Sequence, residues 1–166
     1  MSPSPRLSLR VPSLDATHAV AAALAGVSRP GDIILLAGEM GAGKTAFAQG
    51  FGRALGVVEP ITSPTFTLVH SYDTGGPTLH HADVYRLDQL AEVADLALGE
   101  LAEFDGIVLV EWGDVVASTF GEHLVVRLDP IDGHLDARHI TITPTGTTWA
   151  RRWSALQQAT HEWCLP

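Results

Sequence analysis

Two short, almost wholly apolar runs stand out when the hydrophobic and polar positions are followed along the chain. The first is residues 32–37 (DIILLA), between Gly31 and Gly38, and the second is residues 107–110 (IVLV), which lead into Glu111. Runs of this length and composition are typical of strands that are buried on both faces of a parallel sheet. We therefore expect two central parallel strands at these positions.

Apolar residues at helical spacing predict helices on both sides of the first of these strands. One covers residues 46–55, and Gly56 would end it. An earlier, alanine-rich helix would be capped by Ser13 or Thr17 and run to Val27. Two more helices are predicted, over residues 87–101 and 147–163.

Alternating apolar and polar residues predict the remaining strands. Residues 7–11 form one of them, at an edge of the sheet because Pro12 follows directly. Turn-forming residues join two further pairs of strands, which indicates two antiparallel hairpins. These pairs are residues 65–72 with 78–83, and residues 123–128 with 138–143. Parallel and antiparallel strands together predict a mixed sheet.

The first apolar strand is followed by residues 38–45 (GEMGAGKT), which match the phosphate-binding pattern G-x-x-x-x-G-K-[ST] at every fixed position. Gly41 and Gly43 would let backbone N–H groups approach phosphate oxygens. Lys44, the only lysine in the chain, would reach the β- and γ-phosphates, and the Thr45 hydroxyl would bind Mg²⁺. The predicted nucleotide-binding residues are Glu39, Met40, Gly41, Ala42, Gly43, Lys44, Thr45 and Ala46.

These elements predict an α/β protein with a P-loop NTPase-like three-layer fold and a mixed (parallel and antiparallel) central sheet. The length of 166 residues predicts a single P-loop ATPase domain over residues 1–166, with residues 144–166 as a C-terminal helical tail. No internal repeat or low-complexity tract suggests a different organisation.

Three side chains outside the loop are candidates for hydrolytic chemistry. Glu111 ends a buried strand, where a Walker-B acid delivers negative charge to Mg²⁺. Asp83 also ends a predicted strand, and two roles stay open for it: positioning a water or metal-bound water, and capping the next segment. Thr65 follows Ser63 and Pro64; a switch that senses the γ-phosphate and an ordinary turn both fit, and turn chemistry favours the second.

Structural roles are favoured for the polar and aromatic neighbours of these residues. His81 and Asp83 would share one face of a strand, but no further ligand accompanies them, which favours a packed or hydrogen-bonded histidine over a metal ligand. Trp112 is favoured as a core residue. The pair Arg151 and Arg152 is favoured as a solvated helix face.

Charge and composition narrow the class of protein further. The net charge of −9 at pH 7 and the scattered arginines disfavour autonomous binding to nucleic acid. No apolar run approaches the roughly 18 residues that a membrane span needs, and the N-terminus lacks the apolar region of a secretory signal. The single cysteine, Cys164, cannot form an internal disulfide. We therefore expect a cytoplasmic protein without membrane association.

Four stretches, taken together, resemble the TsaE family (also called YjeE), the ATPase of bacterial tRNA threonylcarbamoyladenosine synthesis. They read GEMGAGKTAFAQGFGRALG, TSPTFTLVHSY, HHADVYRL and VLVEWGD. The resemblance is close over residues 31–114 and looser to the end of the last strand. Two departures are His80-His81, where the family usually has a single histidine, and Ala46, where a second threonine is common.

The resemblance carries over to individual positions. It implies that Lys44 and Thr45 bind phosphate and Mg²⁺, and that Glu111 is the second acid of the magnesium site. Trp112 matches the tryptophan that follows this acid. The family's switch threonine, its strand-end aspartate and an arginine near the nucleotide correspond to Thr65, Asp83 and Arg138.

The same resemblance implies an ATPase that uses ATP and Mg²⁺ and works with two other proteins, TsaB and TsaD. These partners would place the threonylcarbamoyl group on adenosine 37 of tRNAs that read ANN codons, and this chain would contact tRNA only through the complex. The sequence shows no obvious arginine finger, which fits a slow intrinsic ATPase that its partners stimulate.

Two other functions stay open. A small-molecule P-loop kinase shares the loop and the metal acid, although residues 87–101 contain no arginine for a lid. A nucleotide-gated assembly module would need ATP binding without hydrolysis, and the intact Lys44, Thr45 and Glu111 argue against it. A GTPase is disfavoured, because a chain without asparagine cannot contain the base-reading motif N-K-x-D.

Overall fold

The computed structural model describes residues 5–64, 69–84, 97–112, 117–118 and 120–166. The strands of this part of the chain are β1 (Leu7–Val11), β2 (Ile33–Ala37), β3 (Val69–Tyr72), β4 (Thr78–Asp83), β5 (Gly106–Glu111), β6 (His123–Ile131) and β7 (His134–Thr145). Its helices are α1 (Leu14–Val27), α2 (Lys44–Leu55), α3 (Leu98–Glu103) and α4 (Trp153–Ala159), followed by a 3-10 helix at His161–Trp163.

All seven strands belong to one sheet, in the order β1-β7-β6-β2-β5-β4-β3. The four central strands β6, β2, β5 and β4 run parallel, whereas β3, β7 and β1 pair antiparallel at the two sides. The predicted mixed sheet is therefore confirmed. Because β2 lies between β5 and β6, the loop that follows β2 emerges between the carboxyl ends of two parallel neighbours, where ligands of α/β sheets bind.

Alternate residues of the central strands enter different cores, which explains why these strands are apolar throughout. Ile34 and Leu36 of β2 join the larger core, to which α1 and α2 contribute, whereas Ile33 and Leu35 join a smaller core with α3. All six residues of β5 are buried. The sheet is thus covered by helices on both faces, and the predicted three-layer α/β fold is confirmed.

Helices α1 and α2 pack closely against each other. Ser13, and not Thr17, caps α1: its hydroxyl accepts a hydrogen bond from the N–H of Ala16 at 3.1 Å. A Cβ atom at Gly50 of α2 would lie 2.8 Å from the Cα of His18, so the glycine permits this close approach. Gly56 ends α2 in a left-handed conformation, as predicted.

The second hairpin is longer than the sequence predicted. Its strands β6 and β7 pair up to Ile131 and His134, so the turn is shorter than the predicted residues 129–133, and the register shifts between Pro130 and Ile131. The first hairpin and the acidic helix lie partly outside the described residues, at 65–68 and 85–96.

The helical tail predicted over residues 144–166 is wrong in extent. Strand β7 continues to Thr145, residues 148–152 form turns, and the predicted helix over 147–163 is reduced to the seven residues of α4 and the short 3-10 helix. None of the helices in the described part of the chain is long and apolar enough to cross a membrane.

Side-chain contacts explain why this segment turns before the helix begins. The carboxylate of Glu122 accepts hydrogen bonds from the N–H of Thr147 at 2.9 Å and from the hydroxyl of Thr148. The side chain of Trp149 is buried in the larger core. These contacts fix residues 147–149 before α4, and helical periodicity carries no information about them.

Arg151 and Arg152 differ from each other. Arg151 is exposed, as the sequence predicted. The prediction of a solvated face is wrong for Arg152, which donates to both carboxylate oxygens of Asp32 at 2.7 and 3.0 Å and lies over the ring of Trp149 at 3.8 Å. The partner, Asp32, precedes β2 and is remote in sequence, so local patterning could not reveal it.

Candidate active site

The phosphate-binding loop connects the carboxyl end of β2 to the first turn of α2. Gly38 has a φ of 141°, and a Cβ atom there would lie 2.5 Å from the carbonyl oxygen of Leu128, so only glycine fits against β6. Gly43 adopts a left-handed conformation immediately before α2. The loop therefore ends at the N-terminus of a twelve-residue helix, whose first-turn N–H groups and dipole favour a bound anion.

Lys44 is the cation of this loop and is only 5% exposed. Its ammonium group donates to the carbonyl oxygens of Gly38 and Glu39 at 2.6 and 2.8 Å. These bonds fold the lysine back along the loop, and its charge lies within the loop that the sequence assigned to phosphates. A positive charge at this position is suited to binding phosphate.

Trp112 contacts this lysine, which is more than the core role predicted for it. The Nζ atom of Lys44 lies 3.9 Å from the centroid of the indole ring, a distance typical of a cation–π contact. Trp112 has a φ of 64°, in the left-handed region that a bulky side chain seldom adopts. Its N–H donates to the carbonyl oxygen of Leu36 at 2.9 Å, which holds this conformation. Backbone strain of this kind clusters at functional sites.

Glu111 lies at the centre of the acidic side of the site. The hydroxyl of Thr45 donates to its Oε1 at 3.0 Å, with Oε2 at 3.3 Å, and Nε2 of His81 lies 2.6 Å from Oε2. The loop threonine and the strand-end acid that the sequence assigned to Mg²⁺ are therefore in direct contact. His81 is hydrogen-bonded, which is the role that the sequence favoured for it.

Asp83 lies beside Glu111 because β4 and β5 are parallel neighbours in which these two residues are register partners. Its Oδ2 accepts a hydrogen bond from the hydroxyl of Ser63 at 2.9 Å. Ser63 belongs to the stretch in which the sequence suggested a switch. Thr65, the candidate of that stretch, lies outside the described residues.

A cavity of about 310 Å³ brings most of these side chains together. Its lining includes the loop lysine and threonine, both strand-end acids, Ser63 and Trp112. The remaining lining residues are Met40, Gly41, Gly43 and Ala46, all from the predicted nucleotide-binding set. Of the other two members of that set, Glu39 accepts a hydrogen bond from Lys44 through its carbonyl oxygen, and Ala42 is buried.

The donor set at this cavity fits Mg²⁺. The oxygen atoms of Thr45, Glu111 and Asp83 are the hard ligands that Mg²⁺ prefers, and this ion usually takes few protein ligands because phosphates and waters supply the others. Among the described residues, no group of three or more histidine, cysteine, aspartate and glutamate side chains is arranged to hold a metal ion.

Arg138 of β7 contacts the loop from the strands on the opposite side of β2 from β5 and β4. Its Nε donates to the carbonyl oxygen of Ala42 at 2.7 Å, and another guanidinium nitrogen lies 3.3 Å from the carbonyl oxygen of Gly41. Its third nitrogen donates to the carbonyls of Leu135 and Ala137 within β7. Arg138 therefore lies near the nucleotide loop, as the resemblance implied, and links this loop to the second hairpin.

A larger cavity of about 720 Å³ opens beside the C-terminal half of α2. It is lined mainly by residues 56–62, together with Gln49 and Arg53 of the helix. It contains neither the phosphate loop nor a strand-end acid. Size alone therefore does not select the candidate active site; the convergence of loop, threonine and acids favours the smaller cavity.

Two hydrogen bonds of the strand-end acids were missed by sequence reasoning. The bond from His81 to Glu111 depends on the alignment of β4 with β5, and the bond from Ser63 to Asp83 joins residues that are 20 positions apart. The only local signal was the spacing of His81 and Asp83 on one face of a strand. It could be interpreted only once the neighbouring strand was known to carry an acid.

Comparison with known proteins gives a consistent result. The model of the family described as Threonylcarbamoyl adenosine biosynthesis protein TsaE matches residues 11–140. The tRNA threonylcarbamoyladenosine biosynthesis protein TsaE of Bacillus subtilis is 35% identical over 144 residues, which cover 87% of this chain and 89% of that protein. The protein of the same name from Streptomyces coelicolor is 41% identical over 133 residues, or 76% of this chain and 89% of its own.

A solved structure agrees with these relatives. The crystal structure of YdiB from Bacillus subtilis matches with a TM-score of 0.76 and 31% sequence identity, and the match covers 98% of this chain and 99% of that one. The similarity therefore extends over the whole sheet and its helices.

Proposed function

The chain belongs to the TsaE family of threonylcarbamoyl adenosine biosynthesis proteins, and from this premise we propose that it binds and hydrolyses ATP with Mg²⁺. The activity would serve the threonylcarbamoyladenosine modification of adenosine 37 in tRNAs that read ANN codons. One observation carries the proposal: Lys44, Thr45, Asp83 and Glu111 meet at a single cavity at the carboxyl ends of parallel strands.

The proposed reaction is in-line attack of water on the γ-phosphoryl group of ATP. Lys44 and the N–H groups of the loop would bind the phosphates and stabilise the charge that develops on their oxygens. Asp83, or Thr65 beyond the described residues, would orient the attacking water. Mg²⁺, held by Thr45 and Glu111 directly or through water, would neutralise phosphate charge.

We further propose that the TsaB and TsaD pair completes this site. The cavity lining in the described part of the chain contains one cation, Lys44, and no arginine. Hydrolysis by the chain alone should then be slow, and completing such a site in trans is worth about 10³ to 10⁵ in rate. The net charge of −9 fits a protein that meets tRNA through the complex, in the cytoplasm.

Phosphate release from Mg-ATP tests this proposal. The rate should be low for the chain alone, rise strongly when the TsaB and TsaD pair from the same organism is added, and disappear in Lys44→Ala. Arg151→Ala is the matched control, because it also removes one positive charge but does so at an exposed side chain outside the site. It should behave as the unmodified protein does.

Three results would redirect the proposal. Equal rates with and without the pair would contradict partner stimulation. Transfer of labelled phosphate to a metabolite in place of water would indicate a small-molecule kinase. Full support of complex formation and of tRNA modification by a non-hydrolysable ATP analogue would indicate a nucleotide-gated assembly module.

A further inference from the structure

We propose that His81 is a positioning residue that fixes the carboxylate of Glu111 for the Mg²⁺ complex of ATP. In this role the imidazole holds one carboxylate oxygen and leaves the other directed at the hydroxyl of Thr45. The inference rests on the proposed function, since it concerns the metal end of the same site.

The contact arises from the register of two parallel strands. On β4, residue 81 lies two positions before Asp83 and therefore on the same face of the strand, while Glu111 of β5 is the register partner of Asp83. His81 thus reaches Glu111 diagonally across the strands, with Nε2 and Oε2 2.6 Å apart. Its side chain is fully buried, so its orientation is set by packing.

In the proposed role, His81 donates through Nε2 to an ionised Glu111 carboxylate. An ionised carboxylate can only accept hydrogen bonds, so Nε2 has to carry the hydrogen, as it does both in one neutral tautomer and in the imidazolium. The other ring nitrogen, Nδ1, is buried and has no hydrogen-bond partner. The bond to Glu111 is therefore the one polar contact that the described structure gives this ring.

The two partners of Glu111 each approach a different carboxylate oxygen most closely. Oε2 is held from the buried side by His81, and Oε1 is 3.0 Å from the hydroxyl of Thr45 at the cavity. Removal of the histidine would leave Oε2 with only the longer approach of the Thr45 hydroxyl, at 3.3 Å, and would free the carboxylate to rotate. Groups that orient metal-binding side chains in this way typically change metal affinity or activity by about 10- to 100-fold when they are mutated.

The neighbouring histidine provides an internal control. His80 precedes His81 on β4 and points to the opposite face of the strand. Its Nδ1 lies 2.7 Å from the hydroxyl of Ser71 on β3, and the side chain is also largely buried. A change at His80 disturbs the same strand to a similar extent without removing a bond to the acid.

Two variants that differ by one methylene group test the assignment. In His81→Gln the amide nitrogen can occupy the place of Nε2 and donate to Glu111, whereas in His81→Asn the amide is too short to reach it. The quantity to measure is the Mg²⁺ gain, defined as the ratio of the ATP dissociation constants in EDTA and in excess Mg²⁺. Isothermal titration calorimetry gives both constants, with His80→Gln as the control.

We expect His81→Asn to lose about 10- to 100-fold of the Mg²⁺ gain, while His81→Gln and His80→Gln retain most of it. A purely structural role for His81 would change both dissociation constants alike and leave their ratio unaltered, and that result would overturn the inference. Equal ratios in His81→Asn and His81→Gln would overturn it as well. Absence of any Mg²⁺ gain in the unmodified protein would instead contradict the proposed function, which keeps the two failures distinct.

Discussion

A buried carboxylate lies near each end of the central strand β2, and the two have different surroundings. Asp32 precedes the amino end, Glu111 of β5 lies beside the carboxyl end, and each is 3% exposed. Asp32 accepts hydrogen bonds from two nitrogens of Arg152 and from the N–H of Arg29. Glu111 has Thr45 and His81 as partners, and it lines the cavity at the phosphate loop.

The partner of Asp32 is itself immobilised. Arg152 stacks on Trp149 and also donates to the carbonyl oxygens of Val27 and Thr148, so the pair joins three segments of the chain. The hydroxyl that contacts Glu111 belongs to the phosphate loop and faces a cavity. The two acids are equally buried, so burial does not separate them. Access from a cavity distinguishes the acid of the candidate site from the acid of a structural ion pair.

The largest effect is expected when the structural pair is broken. Arg152→Ala leaves Asp32 buried without its partner, which costs about 3–5 kcal/mol of the free energy of unfolding. For a chain of this size, that corresponds to a melting temperature lower by roughly 6–20 °C. Thermal unfolding followed by circular dichroism measures it, and Arg151→Ala should change stability by no more than about 0.5 kcal/mol. A loss below about 1 kcal/mol in Arg152→Ala would show that the pair is not structural.

The corresponding change at the carboxyl end should affect catalysis more than stability. Glu111→Gln keeps the shape of the side chain and removes the charge that is proposed to hold Mg²⁺, so phosphate release should fall by at least about 10²-fold. ATP binding should weaken less, because Lys44 and the loop remain. Single-turnover hydrolysis and calorimetry separate the two quantities. Turnover that survives unchanged would mean that Glu111 is not the Walker-B acid.

A smaller effect is expected where the loop meets the second hairpin. Arg138→Gln removes the guanidinium bonds to Ala42 and Gly41, and losing about 1.4 kcal/mol of loop support would raise the ATP dissociation constant roughly tenfold. The control is Arg127→Gln, since Arg127 pairs with Asp129 where both side chains are about half exposed. Such exposed pairs contribute little. Similar ATP dissociation constants for the two variants would show that Arg138 does not support the loop in ATP binding.

The smallest effect concerns pH and the histidine that faces away from the site. Burial lowers the pKa of His80 below its ordinary value of 6.5. Between the two pKa values the unfolded chain binds more protons than the folded one. The contribution of His80 to the free energy of unfolding is therefore complete above pH 6.5 and is lost as the pH falls through the lowered folded-state pKa. Melting temperatures between pH 7.5 and 5 should therefore decline less steeply in His80→Gln. Parallel pH profiles would contradict this effect of burial.

Much of this fold was predictable because strong local signals coincide with the central elements. Apolar runs identified β2 and β5, and the glycine pattern identified the loop between β2 and α2. Parallel strands bring their carboxyl ends to one edge of the sheet, so Glu111 could be expected near Thr45 from the sequence. The roles of the predicted site residues stay predictions, as does the organisation of residues 1–166 as one domain.

The remaining features depend on contacts between distant residues. The bond from Arg152 to Asp32 joins positions that are 120 residues apart, and the bond from His81 to Glu111 joins positions that are 30 apart. Composition and periodicity describe neighbours along the chain and carry no information about such pairs. The same limitation explains the C-terminal error, because the contacts of Glu122 and Trp149 turn a segment that helical spacing alone would continue.

The most direct test of the difference between the two ends of β2 is the Mg²⁺ gain in ATP affinity, measured by calorimetry on three proteins. The unmodified chain and Asp32→Asn, studied below its melting temperature, should bind ATP more tightly in Mg²⁺ than in EDTA. Glu111→Gln should lose most of that difference. If Glu111→Gln kept the full Mg²⁺ gain, or if Asp32→Asn lost it to the same extent, the assignment of the metal-dependent ATP site to the carboxyl end of β2 would be contradicted.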